Sequence, residues 1–128
     1  MRKALQPKNV ADRRPRYSQA ILTKPGRLLF IAGQTAVDKK GELVGKGNIE
    51  KQAVQVYKNL DAIIKAAGGS RENIVKTTTF LTDRRNREGL NKVRRSYFKK
   101  VQPTSTLIIV KGLASKEYLV EVEAVAVL

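Results

Sequence analysis

The segment from Leu119 to Leu128 alternates with a period of two, and this pattern constrains the fold more than any other feature of the sequence. One side of the alternation is wholly apolar: Val120, Val122, Ala124, Ala126 and Leu128. The other side carries Glu121 and Glu123 ahead of two valines. Period-two alternation of β-branched residues predicts a strand. Because a buried carboxylate is costly unless it is paired, we expect at least one of the two glutamates to be functional or to hold a partner in place.

Four further stretches of the chain have strand patterns. Residues 106–110 are almost wholly apolar and predict a strand covered on both faces. Residues 17–23 and 28–32 flank a Pro-Gly turn, which predicts a hairpin. Residues 74–82 are rich in β-branched side chains and predict another strand.

Two amphipathic helices are predicted between these strands. The first begins after the N-cap Asn48 and ends at Gly68 and Gly69, with apolar residues at spacings of three and four. Asp83 can cap the second helix, and Pro103 bars its continuation. Its predicted inner face consists of Leu90, Val93, Tyr97 and Val101. Its predicted outer face is strongly basic and consists of Arg84, Arg85, Arg87, Lys92, Arg94, Arg95, Lys99 and Lys100.

The order ββαβαββ predicts an α+β protein with both helices packed on one face of a sheet. A chain of 128 residues is long enough for one core, so we expect a single domain over residues 1–128. Residues 1–16 are basic and broken by two prolines, and we expect this segment to be less ordered.

Composition excludes several kinds of chemistry. The chain has no cysteine and no histidine, which removes disulfides, thiolate metal sites and Ser-His-Asp triads. Acid–base chemistry must then use a carboxylate, tyrosine, lysine or bound water. No apolar run is long enough to span a membrane and no secretory signal is recognisable, so we expect a cytoplasmic protein. The net charge of +15 attracts polyanions, but we favour a highly soluble surface as its explanation, because charge alone gives only non-specific binding.

Several stretches together resemble the RidA/YjgF family of reactive intermediate deaminases. They occur in the family's order and spacing as YSQA at 17–20, LFIAGQ at 29–34, Asn59-Leu60, AAG at 66–68, IVKTTTFL at 74–81, PTSTL at 103–107 and LVEVEAVA at 119–126. The resemblance implies a chorismate-mutase-like fold and a homotrimer whose sheets form a central barrel. It also implies hydrolysis of imines or enamines to 2-oxo acids and ammonia in clefts between subunits, without metal or cofactor.

The resemblance also assigns roles to two residues. Glu121 matches the glutamate that positions the attacking water, and Tyr17 matches the tyrosine that lines the cleft. The alternative for Glu121 is a structural ion pair with one of the many basic side chains. For Glu123 we favour the structural role. The alternative for Tyr17 is a wall residue without a chemical duty.

The chain departs from the family pattern at the substrate-binding positions. Ser105 replaces the arginine that grips the substrate carboxylate, and Leu107 replaces a contact residue that is often cysteine. Ala32, next to Gly33, replaces a serine, and Arg16 replaces the proline that usually precedes the tyrosine. Because a serine cannot reproduce a guanidinium fork, we expect weak activity on 2-imino acids unless another base supplies the grip. Arg16 is one candidate for that base, and Lys111 is the other.

Three functions remain open at this point. The first is a hydrolase acting on a small imine, enamine or related metabolite with altered specificity. The second is a trimer that binds a small metabolite without catalysis. The third is an RNA-interacting protein of the endoribonuclease or translation-inhibitor kind, which would bind non-specifically through the basic surface. No membrane partner is expected.

Overall fold

A computed structural model describes residues 2–100 and 102–128 of the chain. Six strands and two α-helices occur in the order β1 (Arg2–Leu5), β2 (Ala20–Thr23), β3 (Leu28–Gln34), α1 (Ile49–Ala66), β4 (Ile74–Leu81), α2 (Arg87–Phe98), β5 (Thr104–Ile109) and β6 (Val120–Val127). Short 3₁₀ turns precede β4 and α2. The described residues contain no helix long and apolar enough to cross a membrane.

The main sheet has four strands in the order β3-β6-β4-β5. β4 and β5 are parallel, whereas β6 is antiparallel to both of its neighbours. The α+β architecture with two helices and a mixed sheet is therefore confirmed. β6 alternates as predicted, because Val120, Val122, Ala124 and Ala126 are buried and Glu123 is exposed.

The core lies between this sheet and the helices. α1 buries Ala53, Val56 and Leu60 of the predicted apolar stripe, and at the next turn it buries Ile64 fully whereas the predicted Ile63 is only half-buried. Asn48 caps α1 by accepting a hydrogen bond from the Lys51 backbone N–H at 3.0 Å. α2 adds Leu90 and Phe98 to the same core. The predicted inner-face residue Val101 lies outside the described residues.

The predicted hairpin between residues 17–23 and 28–32 is wrong. β2 pairs with β1 in a separate two-stranded sheet, and β3 pairs with β6. This pairing agrees with the burial of the two strands. Ile31 of β3 lies in the core of the main sheet, whereas Leu22 of β2 is 63% exposed. The strand Arg2–Leu5 also adds an element within residues 1–16, where the sequence predicted none.

The expectation that β5 is covered on both faces is wrong for the single chain. β5 is an edge strand that pairs along its length with β4, and Ile108 is 42% exposed. An apolar run predicts that a strand packs against apolar groups, but it does not indicate whether those groups belong to the same chain. The sheet face turned away from the helices also exposes Phe30 to 73%.

Candidate active site

A cavity of about 340 Å³ opens between α2, the edge strand β5 and the segment before β2. Its lining consists of Arg16, Tyr17, Arg84, Arg87, Asn91, Arg94, Ser105, Leu107 and Ile109. Four of the residues singled out in the sequence therefore lie together: Arg16, Tyr17, Ser105 and Leu107. Lys111, the other base considered there, does not line this cavity.

Strand register places Ser105 and Leu107 in the cavity. In the parallel ladder, Ser105 pairs with Thr77 and Leu107 pairs with Thr79. Both threonines are fully buried on the helix side of β4. Since residues paired in register point to the same face of a sheet, Ser105 and Leu107 project toward α2.

Ser18 holds Tyr17 beside the start of β5. Its backbone N–H donates to the Pro103 carbonyl at 3.2 Å, and its hydroxyl donates to the Gln102 carbonyl at 2.6 Å. Ser18 is 7% exposed and forms a parallel bridge with Thr104. These contacts fix the adjacent Tyr17 at the cavity wall.

Arg94 is the residue that the sequence analysis misplaced. It was assigned to the exposed outer face of the second helix, yet it is 3% exposed and lies in the cavity lining. Its Nη1 donates to Ser105 Oγ at 2.8 Å, and its Nη2 donates to the Arg16 carbonyl at 2.7 Å. The spacing Leu90, Arg94, Phe98 puts all three on one helical stripe, and this signal could have found it.

The electrostatic character of the cavity is cationic. Four of the lining residues are arginines and none is a carboxylate. Burial lowers the pKa of Arg94 below its ordinary value, but an arginine guanidinium stays charged in proteins. A fixed positive charge at the floor of a small cavity favours an anionic ligand.

Glu121 lies on the other face of the sheet. It pairs with Phe80 of β4, which alternates with the buried Thr77 and Thr79 and so points away from the helices. The Glu121 carboxylate lies over Gly33, where a Cβ would fall 2.0 Å from Glu121 Oε2. Within residues 2–100 and 102–128, it makes no hydrogen bond or ion pair.

The sequence-predicted residues thus form two groups in one chain. Arg16, Tyr17, Ser105 and Leu107 share the cavity, whereas Glu121, Gly33 and Ala32 lie outside its lining. Each chain presents one group on the helix side of its sheet and the Glu121–Gly33 contact on the other side.

Comparison with known proteins decides the family. The sequence matches the family model described as Endoribonuclease L-PSP over residues 8–128. A RutC family protein of Pyrococcus horikoshii is 43% identical over 111 residues, which cover 86% of this chain and 85% of that protein. The chain belongs to the RidA/YjgF family.

Other proteins similar to this RidA/YjgF chain include one with a named activity and two with crystal structures. A human protein named 2-iminobutanoate/2-iminopropanoate deaminase is 36% identical over 111 residues, covering 87% of this chain and 79% of that protein. The crystal structure of the Rid family protein YyfB from Yersinia pestis superposes with a TM-score of 0.93 at 30% identity, covering 99% and 98% of the two chains. RidA from an Antarctic Psychrobacter has a TM-score of 0.74 at 31% identity, covering 98% of this chain and 99% of that chain.

Proposed function

We propose that this chain hydrolyses 2-imino acids, or the enamines from which they form, to 2-oxo acids and ammonia. The observation that carries the proposal is the cavity in which Tyr17 and Ser105 meet the buried guanidinium of Arg94. The name of the human relative, an imine deaminase 36% identical to this chain, supports the same chemistry.

The reaction needs little machinery. A water molecule adds through its oxygen to the electrophilic imine carbon, and Glu121 accepts the proton that the water loses. Glu121 then gives that proton to the nitrogen of the carbinolamine, the C–N bond breaks and ammonia leaves, and the carbinolamine hydroxyl loses its own proton to Glu121 or to the departing ammonia as the carbonyl forms. Because a protonated imine is already activated, the protein has to bind the substrate, hold the water and transfer protons between the water, the nitrogen and the hydroxyl.

We further propose that the complete site forms between two copies of the chain in a homotrimer. Glu121 and the cavity lie on opposite faces of one sheet, so the carboxylate of one copy would act on substrate bound in the cavity of another. Two apolar surfaces support an assembly of this kind: Phe30 is 73% exposed on the Glu121 face, and Ile108 is 42% exposed on the edge strand. Large apolar side chains left exposed on a sheet in this way favour contact with another protein surface.

Replacing Glu121 with glutamine tests the proposed chemistry. Since a positioned general base contributes about 10²–10⁴-fold, Glu121→Gln is expected to lower the enzymatic rate at least about 100-fold. The measurement is the appearance of pyruvate from 2-iminopropanoate made in situ, after subtraction of the spontaneous rate. Glu123→Gln is the matched control, because Glu123 lies two residues along the same strand face and is exposed.

Two results would contradict the proposal. Turnover by Glu121→Gln equal to that of the unmodified protein would remove Glu121 from the chemistry. A monomer at assay concentration in sedimentation velocity, together with full activity, would remove the shared site.

A further inference from the structure

We propose that Arg94, projecting from α2, is the residue that binds the substrate carboxylate, in place of the arginine that the family carries at the position of Ser105. This inference rests on the proposed imine hydrolysis. It assigns to the helix a role that the family pattern places on the edge strand.

The first support is a buried charge without a counter-charge. Arg94 is 3% exposed, and no carboxylate among residues 2–100 and 102–128 forms an ion pair with it. Both of its hydrogen-bond partners, Ser105 Oγ and the Arg16 carbonyl, are neutral. Buried cations are normally compensated by an anion, and a carboxylate bound in the cavity would provide that compensation.

The second support is the unused hydrogen-bonding capacity of the guanidinium. Its Nε is buried and has no partner in the described part of the chain, and each Nη has spent one of its two N–H groups. A guanidinium with free neighbouring N–H groups can hold a carboxylate by two parallel bonds. Asn91 lies one helical turn away and lines the same cavity, and its buried Oδ1 is also without a partner. An unpartnered donor and an unpartnered acceptor, carried by two residues that line the same cavity, point to a polar ligand.

The third support is position. The distance of 2.8 Å between Arg94 Nη1 and Ser105 Oγ means that the guanidinium lies within one hydrogen bond of the residue-105 side chain. A guanidinium carried by β5 would occupy nearly the same space. The small serine leaves room for the long side chain that arrives from the helix, so the charge is supplied from α2 instead of β5.

The other cations of the cavity are less suited to this role. Arg16, Arg84 and Arg87 are exposed at the rim, where water and salt screen their charges. Arg94 alone among the lining arginines is buried and fixed by two hydrogen bonds. Fixed donors need no rearrangement when the carboxylate arrives.

The test compares Arg94→Gln with Arg95→Gln, which removes the same charge from the next, exposed position of α2 outside the cavity lining. Loss of a charge-assisted carboxylate contact is expected to raise KM for 2-iminopropanoate about tenfold or more in Arg94→Gln, with a smaller change in kcat. The affinity for pyruvate, measured by calorimetry, should fall by a similar factor. Arg95→Gln should change neither quantity more than about twofold.

A second variant separates carboxylate binding from a purely structural role. In the Arg94→Gln background, Ser105→Arg returns a guanidinium to the cavity from the strand, and KM and pyruvate affinity should recover. Ser105→Arg alone should bring no gain, because two guanidinium groups would then compete for one space. Arg94→Lys, which keeps the charge but loses the fork, should bind pyruvate with an intermediate affinity.

The outcomes distinguish carboxylate binding by Arg94 from a purely structural role. Unchanged KM and pyruvate affinity in Arg94→Gln would overturn the inference. A weakened Arg94→Gln that Ser105→Arg does not restore, with a lowered thermal midpoint, would show that Arg94 only fastens α2 to β5 and would also overturn it. If the unmodified protein hydrolyses no imine, the proposed function fails, and the Arg94 inference is then decided by pyruvate binding in these variants alone.

Discussion

Gln52 ties α1 to the chain that leads into β6, and its replacement should destabilise the fold substantially. The side chain is fully buried. Its Nε2 donates to the Gly45 carbonyl at 3.2 Å and to the Glu117 carbonyl at 2.9 Å. Its Oε1 accepts a hydrogen bond from the Leu119 N–H at 2.9 Å. One side chain therefore fixes the approach to β6 two residues before Glu121.

Gln52→Met keeps the approximate volume and removes all three hydrogen bonds. At about 1 kcal/mol for each bond, the free energy of unfolding should fall by about 3 kcal/mol. A larger loss is expected if the Leu119 N–H stays buried without any partner, since an unsatisfied buried donor costs about 1–3 kcal/mol by itself.

The assay is equilibrium urea unfolding followed by circular dichroism at one fixed protein concentration, because any assembly makes stability concentration-dependent. Gln55→Met is the control on the same helix, since the half-buried Gln55 side chain makes one hydrogen bond within the described part of the chain, to Asn59 Oδ1 at 2.8 Å. The control should lose less than about 1 kcal/mol. Equal losses in the two variants would refute the view that Gln52 fixes the approach to β6.

Two further predictions concern Gly33 and Asp61. A Cβ added by Gly33→Ala would lie 2.0 Å from Glu121 Oε2 and 2.8 Å from its carboxyl carbon, so the flexible carboxylate must turn aside. Imine hydrolysis should therefore fall by up to about 100-fold with little change in thermal midpoint. Full activity of the variant would contradict this placement of Glu121. Burial raises the pKa of the Asp61 carboxyl, but hydrogen bonds from Lys65 and Tyr97 outweigh it and hold the pKa below its ordinary value of 3.8. Because the folded-state pKa is the lower one, Asp61 stabilises the fold above pH 3.8 and loses this contribution as the pH falls through the folded-state value. Asp61→Asn should therefore be less stable than the unmodified protein in urea at pH 7, and the difference should shrink as the pH falls below 3.8; a difference that does not change with pH would exclude ionisation as its cause.

Periodic patterns predicted the parts of the fold that bury regular stripes. β6 and α1 repeat apolar residues with periods that match their geometry, so the faces that they bury follow directly from the sequence. The pairing of the strands could not be predicted from these patterns, because adjacency along the chain favoured a hairpin between residues 17–23 and 28–32. The pairing of β3 with β6 instead depends on contacts about 95 residues apart in the sequence, which local patterns do not record.

The candidate site was predictable only in part for a related reason. Tyr17, Ser105 and Leu107, which the resemblance assigned to a cleft between subunits, line one cavity of the single chain. Their role in substrate binding stays a prediction. Arg94 was missed because cationic residues were assigned to the solvent-facing side of α2 by type alone. Its four-residue spacing from Leu90 and Phe98 places it on the buried stripe, where a charge requires a functional or structural reason.

The opposition of Glu121 and the cavity across one sheet has a consequence for how catalysis would depend on concentration. A monomer would carry the cavity of one site and the Glu121 carboxylate of another, and so would have no complete site. Dilution would then abolish turnover without unfolding any subunit, and turnover per chain would rise with the fraction of chains in the assembled state. Under the deamination proposed above, association would itself be the step that creates the enzyme.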